Sequence, residues 1–412
     1  MRNEGRILLA SLVWGTFVPI AVADEWKLTG SLDQKIEYDD NINLNVDPSA
    51  VSGYLMNPTL GVEWNTAVMK AGVTGRGDIR RYDDKQWNCD TFSLSANQQY
   101  LQKNSAFSVA GNYSRSCSYS DQLSDTGVIE PDNESETYSL SPSWSWQWSA
   151  LDSFSLSSSY TKTTYSSDGA GNDSGTTSSN FQGNETYSLN LSESHSWTRR
   201  LNSNASLSFS RSEFGDSINS SSQSSFGFQL GNTYNITRMW TVSIGGGLNW
   251  VQSPTNSNTI NSSSSDSLFR TEIINFALNY NDRFVSYGVN YSRTNSPSAS
   301  GQITEFNTFN MNYSYEMSRE WSFNIDSSIS NTQSIGQEQF QTSSNRTNYT
   351  ATIGVTWNFD KEWQLTSSYR YRQQELSNSG SAQISNGQDG VLASNALMIN
   401  LNYNWDGLRV FR

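Results

Sequence analysis

The sequence predicts an all-β chain, a transmembrane antiparallel up-and-down β-barrel of 18 strands, with 16 as the alternative count. Three observations carry this. Apolar residues keep to one parity, as in Phe226, Phe228 and Leu230, and in Trp240, Val242, Ile244, Leu248 and Trp250. That is the two-residue period of a strand with one greasy and one wet face. The connections alternate between short turns (198–201, 237–239) and long polar gaps (166–182, 215–222). Aromatic residues gather beside the short turns, where amphipathic rings meet a membrane boundary.

The elements follow in order. Residues 1–23 read as a signal peptide: Arg2 and Arg6, an apolar run 7–20, then Ala21-Val22-Ala23 before Asp24. The apolar run is shorter than the roughly 20 residues a spanning helix needs. Residues 24–412 form the barrel. Strands are expected at 26–38, 54–64, 67–82, 87–102, 105–119, 136–148, 153–165, 183–197 and 202–214. The second half continues at 223–236, 240–251, 267–280, 283–294, 304–316, 320–330, 346–359, 362–376 and 394–405. The two hairpins before Cys117 are the least regular, which is why 16 stands as the alternative count. Pro142 sits inside a strand and predicts a bulge, because proline offers no ladder donor. Long loops rich in Ser, Asn, Gly and Asp fall at 166–182, 252–266, 331–345 and 377–393.

Composition agrees. The chain carries 14 Trp, 20 Tyr and 18 Phe, yet only 16% of residues are charged and the mean hydropathy is -0.61. A barrel wall that is apolar outside and polar inside averages to this value, whereas disordered chains lack such aromatics at strand period. A net charge of -13 gives no basic footprint for nucleic acid. No metal-ligand spacing and no cofactor signature is present.

The girdle at the short-turn end comprises Trp64, Trp146, Trp148, Trp197, Trp240, Trp321, Trp357, Trp363 and Trp405, with Tyr280, Tyr315 and Phe359 among them. Membrane lipid is the partner this implies. Subtracting the outward parity leaves an inner face mostly of Ser, Thr, Asn and Gln. The exceptions cluster near the closing seam: Lys27, Asp33, Lys35 and Glu37 on the first strand, Lys70, Arg76, Asp78 and Arg80 on the third, and Arg370 and Arg372 on the one before last. One lumen wall is thus charged with both signs and the far wall neutral. This charged wall either stiffens the seam by ion pairing or selects solutes as charged rings do.

Cys89 and Cys117 lie symmetrically about Lys103, so a hairpin places them opposite one another, and an oxidising periplasm allows a structural disulfide. Their parities conflict, Cys89 facing in and Cys117 out, which a bulge would reconcile. His195, the sole histidine, shares a face with Glu193 at the short-turn end and reads as an interfacial pair. Nothing else suggests an enzyme.

The opening GSLDQKIEYDDNINL, with Glu37-Tyr38-Asp39-Asp40-Asn41-Ile42, and the tail LNYNWDGLRVFR resemble the two ends of a family of bacterial β-barrel porins associated with exopolysaccharide and capsule gene clusters, including exosortase-linked ones. The tail departs from the usual terminal aromatic by ending in Arg412. The resemblance implies an outer-membrane role around secreted polysaccharide and its periplasmic export components. Three readings stay open: a polysaccharide conduit or accessory, a diffusion porin for small solutes, and a closed-lumen surface binding or scaffold barrel.

Overall fold

The computed structural model describes residues 25–117, 133–167, 183–215, 221–253, 267–297, 303–335, 344–378 and 391–411. The expected leader 1–23 lies outside them, as do most of the long connections.

Eighteen strands form one sheet. They are β1 (Glu25–Asp39), β2 (Val51–Asn65), β3 (Met69–Tyr82), β4 (Cys89–Leu101), β5 (Ser105–Cys117), β6 (Asn133–Gln147), β7 (Asp152–Ser167), β8 (Asn184–Ser196) and β9 (Leu201–Phe214). They continue as β10 (Ser221–Asn235), β11 (Trp240–Ser253), β12 (Ser267–Asn281), β13 (Val285–Pro297), β14 (Ile303–Glu316), β15 (Trp321–Ile335), β16 (Ser344–Asn358), β17 (Trp363–Asn378) and β18 (Val391–Phe411). Every strand pairs antiparallel with its sequence neighbours. β1 also pairs with β18 from Glu25↔Phe411 to Asp39↔Ala396, so the sheet closes and leaves no edge.

Several boundaries differ from the sequence reading. Pro142 causes no bulge: Leu140↔Tyr160 and Ser143↔Ser157 keep one register, and only the two intervening pairs are missing. A skipped pair is enough to accommodate a residue without an N–H. Trp87 does not open a strand. It ends a 3-10 turn, Lys85–Trp87, and is buried. The last strand does not stop at Trp405 but runs on to Phe411 through a bulge opposite Leu28 and Gly30. Gly407 supplies the bulge, with φ +79°, and a Cβ there would strike the Leu28 carbonyl.

Paired residues share a face, so the register sorts the wall. The outer face carries Leu60, Leu94, Leu189, Leu230, Ile244 and Ile353, all exposed. At the short-turn end stand the tryptophans. Trp26 stacks on Trp64 at 5.5 Å, Trp240 meets Tyr280 at 5.0 Å, and Trp321 stacks on Trp357 at 5.4 Å. Phe359 and Trp363 continue the row to Tyr403. Trp146, Trp148, Trp197 and Trp405 occupy the same end, Trp405 against Gly30.

A second belt, unforeseen from sequence, rings the opposite end and is built of tyrosines. Tyr138 donates to Glu136, Tyr187 to Glu185, Tyr291 to Asn307, Tyr369 to Asn395 and Tyr371 to Gln373. Outward ion pairs lie beside it, among them Arg81–Asp90 at 2.6 Å, Lys162–Glu185 at 2.5 Å and Arg115–Glu134. Between the two belts the surface is apolar, which is the surface of a barrel seated in a bilayer.

Candidate functional site

Among the described residues, much of the inner wall is built of ordered polar groups. Its far side, β5 to β10, is a ladder of hydroxyls. Ser108 meets Ser143, Ser155 meets Ser192, and Ser159 meets Ser188, each at 2.6 Å, and Ser210 meets Ser225 at 2.7 Å. Each is a directly opposed cross-strand pair, which places the short side chains within reach of each other.

A second device widens the lumen. Inward asparagines lie across inward glycines of the neighbouring strand: Asn97 over Gly72, Asn204 over Gly231, Asn279 and Asn312 over Gly288, and Asn324 over Gly354. A Cβ at Gly72 would stand 2.9 Å from the Asn97 amide oxygen, and one at Gly354 2.7 Å from that of Asn324. Only glycine lets the amide lie flat there. Asn97, Asn204, Asn279 and Asn312 are exposed although they point inward, so this part of the lumen admits water.

The register places all ten charged residues read from the sequence on the inner face of five adjacent strands, β17, β18, β1, β2 and β3, with β18 and β2 between the charged ones. They do not form one network. Toward the long-loop end, Glu37 takes Lys35 at 2.9 Å and Arg370 at 2.7 Å. Arg80 pairs with Asp78 at 2.6 Å. Among the described residues, Asp33 accepts only from Asn400, at 3.3 Å. Lys27, Lys70 and Arg76 carry no ion pair among the described residues, and Lys70 and Arg76 are exposed.

The centre of the cluster is a residue the sequence reading passed over. Asp39 is fully buried and receives Arg370 at 3.2 Å, Arg372 at 2.9 Å, the Ser394 hydroxyl at 2.7 Å and the Asn41 amide N–H at 3.0 Å. Its parity matches Asp33, Lys35 and Glu37, which was the available signal. The Asp39-Asp40-Asn41 run instead read as loop.

Asp39 anchors the connection 40–50. Asn41 donates to Asn45 O at 2.9 Å and to Ala393 O at 3.0 Å, and Arg372 donates to Ile42 O at 3.2 Å. Asp40 accepts both from the backbone and from the side chain of Asn395. Leu44, at φ +52°, is buried. The inner-face residues Val51, Leu55, Ala396 and Met398 are buried as well, as is Trp87. Around the rest of this end the inward side chains Phe214, Val251, Thr332, Arg346 and Gln374 are likewise buried. The described inward side chains are thus exposed toward the short-turn end and buried toward the long-loop end. Sequence reading missed this apolar inner layer because it lies beyond the regular alternation.

Cys89 and Cys117 are joined by a disulfide with Cα atoms 6.4 Å apart, within the usual span. The expected bulge is absent. The β4–β5 ladder ends at Phe92↔Arg115, while Cys89 stays paired with β3 and Cys117 with β6. The strands part, and the disulfide ties the fork. His195 faces outward and meets Asp152 at 2.5 Å rather than Glu193.

No family model and no curated protein matches the sequence. Solved structures do. The ferric citrate transporter FecA, unliganded, aligns with TM-score 0.52 at 8% identity, covering 91% of this chain and 78% of that one. The FrpB iron transporter from Neisseria meningitidis aligns with TM-score 0.52 at 7% identity, covering 92% and 82%. The ferric enterobactin receptor PfeA from Pseudomonas aeruginosa aligns with TM-score 0.50 at 9% identity, covering 92% and 80%. At these identities the likeness is one of fold, and the fold is that of an outer-membrane β-barrel.

Proposed function

We propose that this barrel sits in a bacterial outer membrane and serves as a conduit or accessory for a secreted polysaccharide, with no enzymatic activity of its own. The lumen wall supports this reading. Hydroxyl pairs and flat-lying amides offer hydrogen bonds to a hydrated sugar chain without the traps that fixed charges would set. Inward charge is concentrated near one seam, and most of it is neutralised there. The open end faces the periplasm, where export components would deliver the chain. Residues 40–50, seated on Asp39 among the buried inward side chains, are the segment we assign to gating the conduit. The sole histidine faces outward, away from the lumen.

Deleting the gene and measuring polysaccharide in the culture medium tests the reading. Loss of secreted polymer with retention inside the cell is expected. Unchanged secretion would overturn it. Two rivals have an observation each. Exposed Lys70 and Arg76 favour a diffusion porin, which would conduct small ions while secretion survives deletion. The packed outer end favours a closed surface scaffold, which would show no conductance in any condition.

A further inference from the structure

One place on the inner wall is built differently from the rest. Across β9 to β12, the paired row Asn204, Gly231, Gly245, Asn275 puts two glycines side by side between two amides. The Asn204 amide lies over Gly231 and that of Gln229 over Gly245, and the dent beside them has a volume of about 260 Å³. Gln229 and Asn290, both inward by register, add two further amides at its rim. No lining residue is charged. None of the four amides carries a side-chain hydrogen bond among the described residues. Elsewhere on the wall polar groups are consumed by one another, as in the serine pairs and in Thr233–Ser243 at 3.0 Å beside the dent.

The geometry points to a binding subsite for a neutral polyhydroxylated ring, one sugar unit of a passing chain. Each primary amide presents two donors and a two-lone-pair acceptor. Four of them along this dent, two held low against glycine backbone, match vicinal hydroxyls, which also donate and accept. A carboxylated sugar would find no cation in the dent to compensate its desolvation. The subsite rests on the conduit reading for its biological meaning, but its chemistry stands apart from it. A chain that must neither stall nor slip gains from one weak, neutral resting place part-way along a wide wall.

The test uses the full-length barrel purified in a detergent without a sugar headgroup. Saturation-transfer NMR is read with maltohexaose as the neutral probe and an oligogalacturonate as the anionic one. Maltohexaose should bind, and the double change Asn275→Asp, Asn290→Asp should weaken it at least tenfold. Asn190→Asp, the same change on the inner face of β8, should leave it unaltered. Heat-modifiable gel migration confirms that each variant is folded, and Asn275→Ala with Asn290→Ala repeats the loss without adding charge. Equal binding by the double variant, stronger binding of the oligogalacturonate, or no transfer to maltohexaose would overturn the subsite. No transfer to maltohexaose, or equal binding by the double variant, while secretion depends on the gene separates the two claims in one direction, sinking only the subsite. Binding intact while secretion ignores the gene deletion separates them in the other, sinking only the conduit.

Discussion

Replacing Asp39 with Ala removes the one carboxylate that both Arg370 and Arg372 share. Arg370 keeps Glu37 at 2.7 Å. Arg372 keeps only the Ile42 carbonyl at 3.2 Å and the Ser394 hydroxyl at 3.1 Å. Breaking a buried ion pair by deleting one partner costs about 3–5 kcal/mol. The two guanidinium side chains retain 25% and 16% exposure, so the lower end of that range applies, about 3 kcal/mol. The sheet does not bear this loss, because its ladders are intact without Asp39. It falls on residues 40–50, whose attachment runs through Asp39 and Asn41. At about 1.4 kcal/mol per tenfold, the displaced state of the loop should become roughly a hundred times more populated. Hydrogen exchange on the purified barrel measures this directly. The amides of Asn41, Leu44 and Asn45, each bonded within the loop or to Asp39, should exchange about two orders of magnitude faster. Amides of β6 to β8 should not change. Single-channel recordings should show long openings rare in the parent protein. Asp33→Ala, which loses a single bond of 3.3 Å, is the control and should do neither. Unaltered exchange at Asn41 to Asn45 in the Asp39 variant would refute the anchor.

Four further outcomes are expected. Leu230→Arg or Ile244→Arg, on the outward face, should each cost about 2–4 kcal/mol in unfolding titrations from lipid, whereas Gln229→Arg and Ser243→Arg, one residue away and inward, should be tolerated; equal tolerance would reverse the facing assignment. Cys89→Ser with Cys117→Ser opens a loop with a sequence separation of 28. This should lower stability by about 3–4 kcal/mol if chain entropy governs. The parent should lose the same amount on adding reductant, and a parent indifferent to reductant would show the bond to be dispensable. Lys70→Glu with Arg76→Glu should swing the reversal potential of an opened channel toward cations, since both stand unpaired in the wet part of the lumen. Arg370→Ala with Arg372→Ala should act mainly on loop release, because their charge is already met by Glu37 and Asp39.

Local composition was enough to read the facing of most strand residues, the eighteen hairpin arms and the contrast between short and long connections. Facing in a strand repeats every two residues, and lipid on one side with water on the other writes that period into local composition. The girdle tryptophans were legible for the same reason, each standing beside its own short turn. The tertiary structure alone decided which inward groups meet. Asp39 and Arg370 are 331 positions apart and are neighbours only because β18 closes onto β1. The flat asparagines over glycine depend on strand register, which no single segment specifies. The packed outer end comes from loop residues such as Leu44 and from inner-face residues such as Phe214, whose burial depends on what the closed barrel brings over them.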